Sequence, residues 1–337
     1  MKKLLFWTLY ASFLCVGPFA AQKALAETIE LKMSHFLSTQ HVQHAEVMAL
    51  WAKDIEALSG GRLKVTIFSD GAQGEPSHQY DNAVRGITDI AFGLQSDTAG
   101  RFPLTAVMRL PFMVKSGQQG SAVLWKLYEE YLQDEYKDVK VLWLFMDAPG
   151  QFHTTQKQVR TLEDLDKLKI RSPGTIMSNV IKTFGAVPVH IPIAQVHEAL
   201  ERKTVDGVAA PWADMRLSRF YEQCKYSVVG DKYSMTFFVV MNRDKYESLP
   251  ADLKKIIDHS SGLKMSLKAG KAYDDEDRFG RELFEKKGGI VYQLPAAEIE
   301  KWMKAVAAIK FKWVNNTEVK GLPGKEVFSY VHKKLSR

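Results

Sequence analysis

The chain has 337 residues, a formal charge of +7, 46% hydrophobic residues and two cysteines. That length exceeds one ordinary core and implies two domains. The positive balance is mild, with no dense basic block interleaved with aromatics, which excludes a nucleic-acid partner.

Lys2 and Lys3 open a nearly unbroken apolar run from Leu4 to Ala21, followed by Ala24-Leu25-Ala26. This pattern predicts a secretory signal over residues 1–26, cleaved before Glu27, with no twin arginine to mark another export route. Loss of Lys2, Lys3 and Lys23 lowers the charge to about +4. Only Cys224 then remains, so no internal disulfide forms and burial alone must hold the domains together. No other apolar run approaches the length of a membrane span.

Thr28 to Ser34 alternates as a strand does, and Val42 to Leu58 repeats apolar residues at helical spacing until Ser59-Gly60-Gly61 stops it. A strand over Leu63–Phe68, a helix over Pro76–Val84 and a strand over Ile87–Gly93 follow; this spacing implies parallel strands joined by helical crossovers. A helix from Ser121 to Tyr136 and a strand over Val139–Phe145 close the first unit.

The pattern then restarts. Gly150 to Thr155 is strand-like, and Thr161-Leu162-Glu163-Asp164 opens a short helix with a capping signature. The strand Leu168–Ser172 stops at Pro173-Gly174, which cannot continue a ladder. A helix over Thr175–Phe184, a strand over Ala186–His190, a helix marked by Ile193, Val196 and Leu200, and a strand over Val205–Ala210 complete the second unit. Met235 to Asn242 is strongly strand-forming and could return to the first unit. Pro250 to Lys287 holds no internal proline and repeats apolar residues at near-helical spacing, a spine of roughly 50 Å lying across both units, with Gly262 or Gly270 as possible bends. A strand over Gly289–Gln293 and amphipathic helix finish the chain. The expected division is 27–148 with 236–275, and 149–235 with 276–337.

Arg171 stands at a strand's C-terminal end, where open α/β sheets place ligand-contacting side chains. Its planar fork of donors fits a carboxylate. Trp212 directly follows Pro211 at another strand end and could pack in the core or stack on a ligand. His41 and His44 with Glu46 and His35 lack the complete HExxH spacing, so no metal site is expected. No phosphate-binding glycine loop, GxSxG elbow or paired-cysteine motif is present, and no cofactor is expected.

The ordered set Leu162-Glu163-Asp164-Leu165, Lys169-Ile170-Arg171-Ser172-Pro173, Gly185-Ala186-Val187-Pro188-Val189, Gln195-Val196-His197-Glu198-Ala199-Leu200, Val205-Asp206-Gly207 and Val240-Met241-Asn242-Arg243 resembles the solute-binding proteins of tripartite ATP-independent periplasmic (TRAP) transporters, of the dicarboxylate-receptor type. The resemblance spans almost the whole mature chain. It implies a periplasmic-binding-protein-like α/β fold with two domains, a hinged cleft and a long helix spanning both. Arg171 matches the family's carboxylate clamp.

Gln151 stands where the sialic-acid branch has a second arginine, Ala210 where it has an asparagine, Ile193 in place of a phenylalanine and Leu94 in place of an acid. The pocket should therefore be less polar than a sugar-acid site; one clamp arginine favours a monocarboxylate, and Gln151, Ile193, Ala210 and Trp212 favour an aromatic or branched body, with a uronic or other sugar acid left open by His153, Gln95 and His35. The expected ligand-binding residues are Arg171, Trp212, Gln151, His153, Gln95, His35, Ala210 and Asn242. The expectation is a monomeric periplasmic receptor that binds a small organic acid and delivers it to the small and large membrane subunits of a TRAP permease. The alternative is an exported α/β hydrolase acting on a small carboxylate-containing substrate, for which no nucleophile-and-base signature is visible.

Overall fold

Residues 28–98 and 100–336 are described by the computed structural model; the expected signal segment 1–26 lies outside them. In chain order the first elements are β1 (Ile29–Ser34), α1 (Ala49–Leu58), β2 (Leu63–Phe68), α2 (Gln79–Val84), β3 (Ile90–Leu94), α3 (Gly117–Leu127) and β4 (Val139–Met146). The next are β5 (Gly150–Thr154), β6 (Lys169–Ser172), α4 (Thr175–Thr183), β7 (Val187–His190), α5 (Ile193–Glu201), β8 (Gly207–Ala210), α6 (Trp212–Leu217) and β9 (Tyr226–Tyr233). The last are β10 (Thr236–Asn242), α7 (Arg243–Ser248), α8 (Ala251–His259), α9 (Leu263–Lys286), β11 (Ile290–Gln293), α10 (Ala296–Ala305), α11 (Ala307–Val319) and α12 (Gly324–Leu335).

These strands form two mixed sheets, one per lobe. The first has the order β2-β1-β3-β10-β4 and the second β11-β9-β5-β8-β6-β7. In the first, β1 pairs in parallel with β2 and β3, while β10 runs antiparallel between β3 and β4. In the second, β6, β7 and β8 are parallel, and β5 enters antiparallel to β8 and β9. Strands buried on both faces read as continuous apolar runs, which is why Thr236–Asn242 could be assigned from sequence and does return to the first sheet. The strand Tyr226–Tyr233 was not expected.

The chain passes between the sheets at Asp147–Pro149 and again at Ser234–Met235. The two passages are tied together: Asp147 Oδ1 accepts a hydrogen bond from Met235 N at 2.6 Å. Phe92, Phe145, Phe237 and Tyr273 pack ring to ring beside this junction.

The expected single spine is two helices. Gly262, at φ +77°, ends the turn after α8 in a conformation that continues no helix, and α9 restarts at Leu263. The remaining spine is the 24-residue α9, about 36 Å long at 1.5 Å per residue, and it still contacts both lobes. Gly270 packs on α3, where a Cβ would meet Gly117 O at 2.5 Å, and Gly280 packs on the α6 start, where a Cβ would collide with Trp212 O. Close approach of backbones at both crossings requires the missing side chain.

After β11 and α10 the chain leaves the second lobe. Trp313 on α11 donates to Pro103 O at 3.1 Å, and Val327, Val331 and Leu335 of α12 join the core around Leu124, Leu127 and Phe238. The expected assignment of 276–337 to the second domain is corrected at this end, because the apolar stripe of α12 finds its partner surface on α3.

Candidate functional site

The lobes meet where strand ends face each other. From the first lobe come the turn Gln95–Asp97 after β3 and the turn Thr105–Arg109. From the second come the β6–α4 turn at Pro173-Gly174 and the passage Tyr233–Met235. A Cβ on Gly174 would lie 3.8 Å from Ser96 Cβ, so the two lobes touch here. The space between them is closed to a void of about 10 Å³, lined by Arg109, Gly174, Ile176, Met177, Tyr233, Ser234 and Met235. That is room for about one water molecule.

Arg171 is held at the end of β6 by local chemistry. Register aligns it with Val208 of β8, and Val208 with His153 of β5, so all three share one face of the sheet. Ser172 Oγ accepts from Ser178 Oγ at 2.9 Å and donates to Gly174 O at 3.0 Å, which fixes the turn that ends the strand. Arg171 is 6% exposed, and its Nε donates to Ile191 O at 3.1 Å. Among the described residues it makes no ion pair. Burial pulls its guanidinium below the usual arginine range, opposed by Tyr233, Asp214 and Asp97. Burial also pushes the Asp214 carboxyl up to about 6, opposed by Arg171. A buried cation beside reluctantly ionised acids is poised for an anion from outside.

Arg109 and Asp97 escaped the sequence reading. Burial lowers the Arg109 guanidinium to about 10, opposed chiefly by Asp97. The Asp97 carboxyl is raised by burial and held back by Ser96, Arg109, His190 and Arg171. The available signal was a lone charge inside the apolar run Ala106-Val107-Met108-Arg109-Leu110-Pro111-Phe112.

The other expected residues divide. Gln95 sits at the cleft end of β3, donating Nε2 to Tyr136 Oη at 2.9 Å. His35 sits at the cleft end of β1, 2.8 Å from His44 Nδ1, while its own Nδ1 accepts from Leu37 N. Burial, aided by His44, lowers its pKa to about 4, so the ring is neutral at pH 7. Gln151, His153 and Ala210 lie on the Arg171 face, but inner contacts engage them. Gln151 accepts from Gly230 N and donates to Pro149 O, and His153 faces both Ser227 Oγ and Ala210 O.

Trp212 is a correction: its ring packs edge-on against His153 and tilted against Phe284. With Gln151 it borders a separate groove of about 410 Å³ at the hinge, beside Pro149, Asp277 and Arg281, instead of the void near Arg109. Asn242 is a second correction. It stands opposite Val139, at the end of the sheet away from the cleft, where it caps α7 by accepting from Lys245 N and donates to Ala83 O. Its place in the sequence pattern reflects a helix cap. Among the described residues no group of three His, Cys, Asp or Glu side chains could hold a metal ion.

The sequence pattern of the family described as "bacterial extracellular solute-binding protein, family 7" (DctP) matches residues 33–315. A TRAP solute-binding protein from Rhodoferax ferrireducens, solved with copurified benzoate, is 31% identical, with 92% of this chain and 98% of that one covered at a TM-score of 0.87. A marine-metagenome TRAP solute-binding protein specific for aromatic acid ligands, solved with 3-hydroxybenzoate, is 29% identical over 92% and 98% of the two chains, also at 0.87. A TRAP periplasmic solute-binding protein from Bordetella bronchiseptica, with bound mandelate, is 27% identical over 91% and 99%, at 0.85.

Proposed function

The chain belongs to family 7 of the bacterial extracellular solute-binding proteins, and from that premise we propose that it is a periplasmic receptor for a small aromatic monocarboxylate. The observation that carries this reading is Arg171: a buried guanidinium at a strand end, without an ion pair among the described residues, three residues before Gly174, which lines the inter-lobe void. Ile176, Met177, Met235 and the Tyr233 ring supply apolar and polarisable walls suited to an aromatic body. Three similar proteins of known structure hold benzoate, 3-hydroxybenzoate and mandelate, all aromatic monocarboxylates.

Binding works through differential affinity. In the open state an acid would touch only one lobe; in the closed state it touches both, so it stabilises closure. The void is far smaller than a benzoate ring, so a ligand enters with the lobes apart and sets the closed spacing. Delivery to a TRAP membrane permease follows from the family and is part of the proposal.

A hydrolase finds no support in these contacts. The close Ser–His pair, Ser227 Oγ and His153 Nδ1 at 2.5 Å, is buried inside the second sheet at 2% and 0% exposure. No substrate could reach it. Calorimetric titration with benzoate tests the receptor reading: saturable binding without turnover supports it, and absence of binding to any aromatic acid contradicts it.

A further inference from the structure

The inter-lobe void has one charged wall. Of the residues that line it, Arg109 alone carries a charge, while Ile176, Met177 and Met235 are apolar. Arg109 and Ser234 both line this void, and Arg109 Nε and Ser234 Oγ are buried without a hydrogen-bond partner among the described residues. Folded proteins leave few such atoms, and two at one void call for an explanation.

The backbone around both residues is fixed. Arg109 ends the turn Thr105–Arg109, with Val107 and Met108 before it and Leu110 after it, all at most 1% exposed. Leu110 N donates to Val107 O at 3.1 Å. The start of the turn is tied to Glu135, which accepts from Leu104 N with one oxygen, and from Thr105 N at 3.1 Å and Thr105 Oγ1 at 2.6 Å with the other. Glu135 is thereby committed to the turn, and among the described residues Arg109 makes no ion pair. Ser234 stands in the passage between the sheets, beside the bond from Met235 N to Asp147 Oδ1 at 2.6 Å.

A buried guanidinium without an acceptor is costly. Every other residue from Ala106 to Phe112 is apolar, so packing gives no reason for a charge at position 109. The acid inferred above brings one charge, its carboxylate, to the same space. A carboxylate only accepts and offers about four lone-pair sites, whereas a guanidinium only donates and a serine hydroxyl is able to donate. Both donors can hold the carboxylate and still leave sites for a second guanidinium. We propose that Arg109 and Ser234 contact the ligand and donate to its carboxylate, gripping it from the first lobe and the crossing while Arg171 holds it from the second. This rests on the receptor reading above and adds the residues that make closure depend on the ligand's charge.

The test is calorimetry with benzoate, 3-hydroxybenzoate and mandelate on the wild-type protein. Whichever binds most tightly is then titrated into Arg109→Met, Arg109→Gln and Ser234→Ala, with melting curves of each protein without ligand. Each Arg109 variant should bind the acid roughly tenfold or more weakly than the wild type, and Ser234→Ala roughly threefold or more. The unliganded Arg109 variants should melt at or above the wild-type temperature, because an unmatched buried charge has gone. A bracing role for Arg109 predicts the reverse, a lower melting temperature with affinity within threefold, and that result overturns the assignment. Should Arg109→Met fail to fold, Arg109→Gln, uncharged but still polar, carries the test. A folded variant that binds the acid as the wild type does removes its residue from the site and leaves the receptor reading intact. Failure of the wild type to bind any of the three acids overturns that reading and this contact with it.

Discussion

Each lobe brings one arginine to the cleft, and the two are held in opposite ways. Arg171 rides on a strand inside a ladder, with its Nε tied to Ile191 O and its turn fixed by Ser172. Arg109 rides on a short turn, with its Nε unpaired among the described residues, and Asp97, whose charge it feels, sits on another short turn. A side chain on a ladder is placed before any ligand arrives, which suits the main charge contact. One on a turn, with a donor unmet among the described residues, is less firmly placed. On the proposed reading the second lobe would anchor the acid.

The sharpest way to break this contrast is at the anchor. Arg171→Ala should weaken every aromatic acid by about 2–5 kcal/mol, the range for losing one side of a buried charged contact. Calorimetry that finds near wild-type affinity would show that the second lobe does not anchor the acid.

The second prediction concerns the rod that joins the lobes. Gly270→Ala and Gly280→Ala each put a Cβ into backbone, at Gly117 O and Trp212 O. Each should cost about 1–3 kcal/mol of stability in urea unfolding, as overpacking does. A neutral result at either glycine would mean that α9 is not clamped on that lobe.

The third uses pH. The Asp214 carboxyl is pushed from 3.8 to about 6 by burial, opposed by Arg171. The folded chain then keeps a proton that the unfolded chain releases near pH 4, so this group's stabilising contribution is present below pH 4 and lost as pH rises through about 6. Asp214 is partly exposed, so the change is on the order of 1 kcal/mol. Asp277, raised to about 8 chiefly by burial and least by Asp214, adds a slope that Asp214→Asn leaves largely in place. Asp214→Asn should therefore flatten the stability curve between pH 4 and 6 relative to the wild type; parallel curves would remove Asp214 from the anchor's electrostatics.

The smallest effect tests a correction. Asn242→Ala should lower stability by about 1 kcal/mol through loss of the α7 cap and leave aromatic-acid affinity unchanged. A selective loss of affinity would return Asn242 to the cleft.

The same contrast explains what could be read from the residues alone. Arg171 was legible because β6 stops at Pro173-Gly174 and the surrounding motifs occur in a recognisable order. Arg109 was not, because the turn bearing it has no period and its neighbours Asp97 and Glu135 are remote in sequence. Strand Tyr226–Tyr233 was missed because Gly230-Asp231-Lys232 interrupts its apolar pattern and reads as a turn. The return of α12 to the first lobe was invisible for another reason: an apolar stripe states that a partner exists, not which surface it is. Trp212 was open between core and ligand; its ring packs on His153 and Phe284 and also borders the hinge groove.

The central claim is that the carboxylate rests on Arg171 between closed lobes. A crystal structure of the protein grown with benzoate or a hydroxybenzoate tests it most directly. The account predicts the carboxylate within hydrogen-bond distance of the Arg171 guanidinium, with the ring among Met177, Met235 and Tyr233. An acid found instead in the hinge groove beside Trp212 and Arg281 would contradict it.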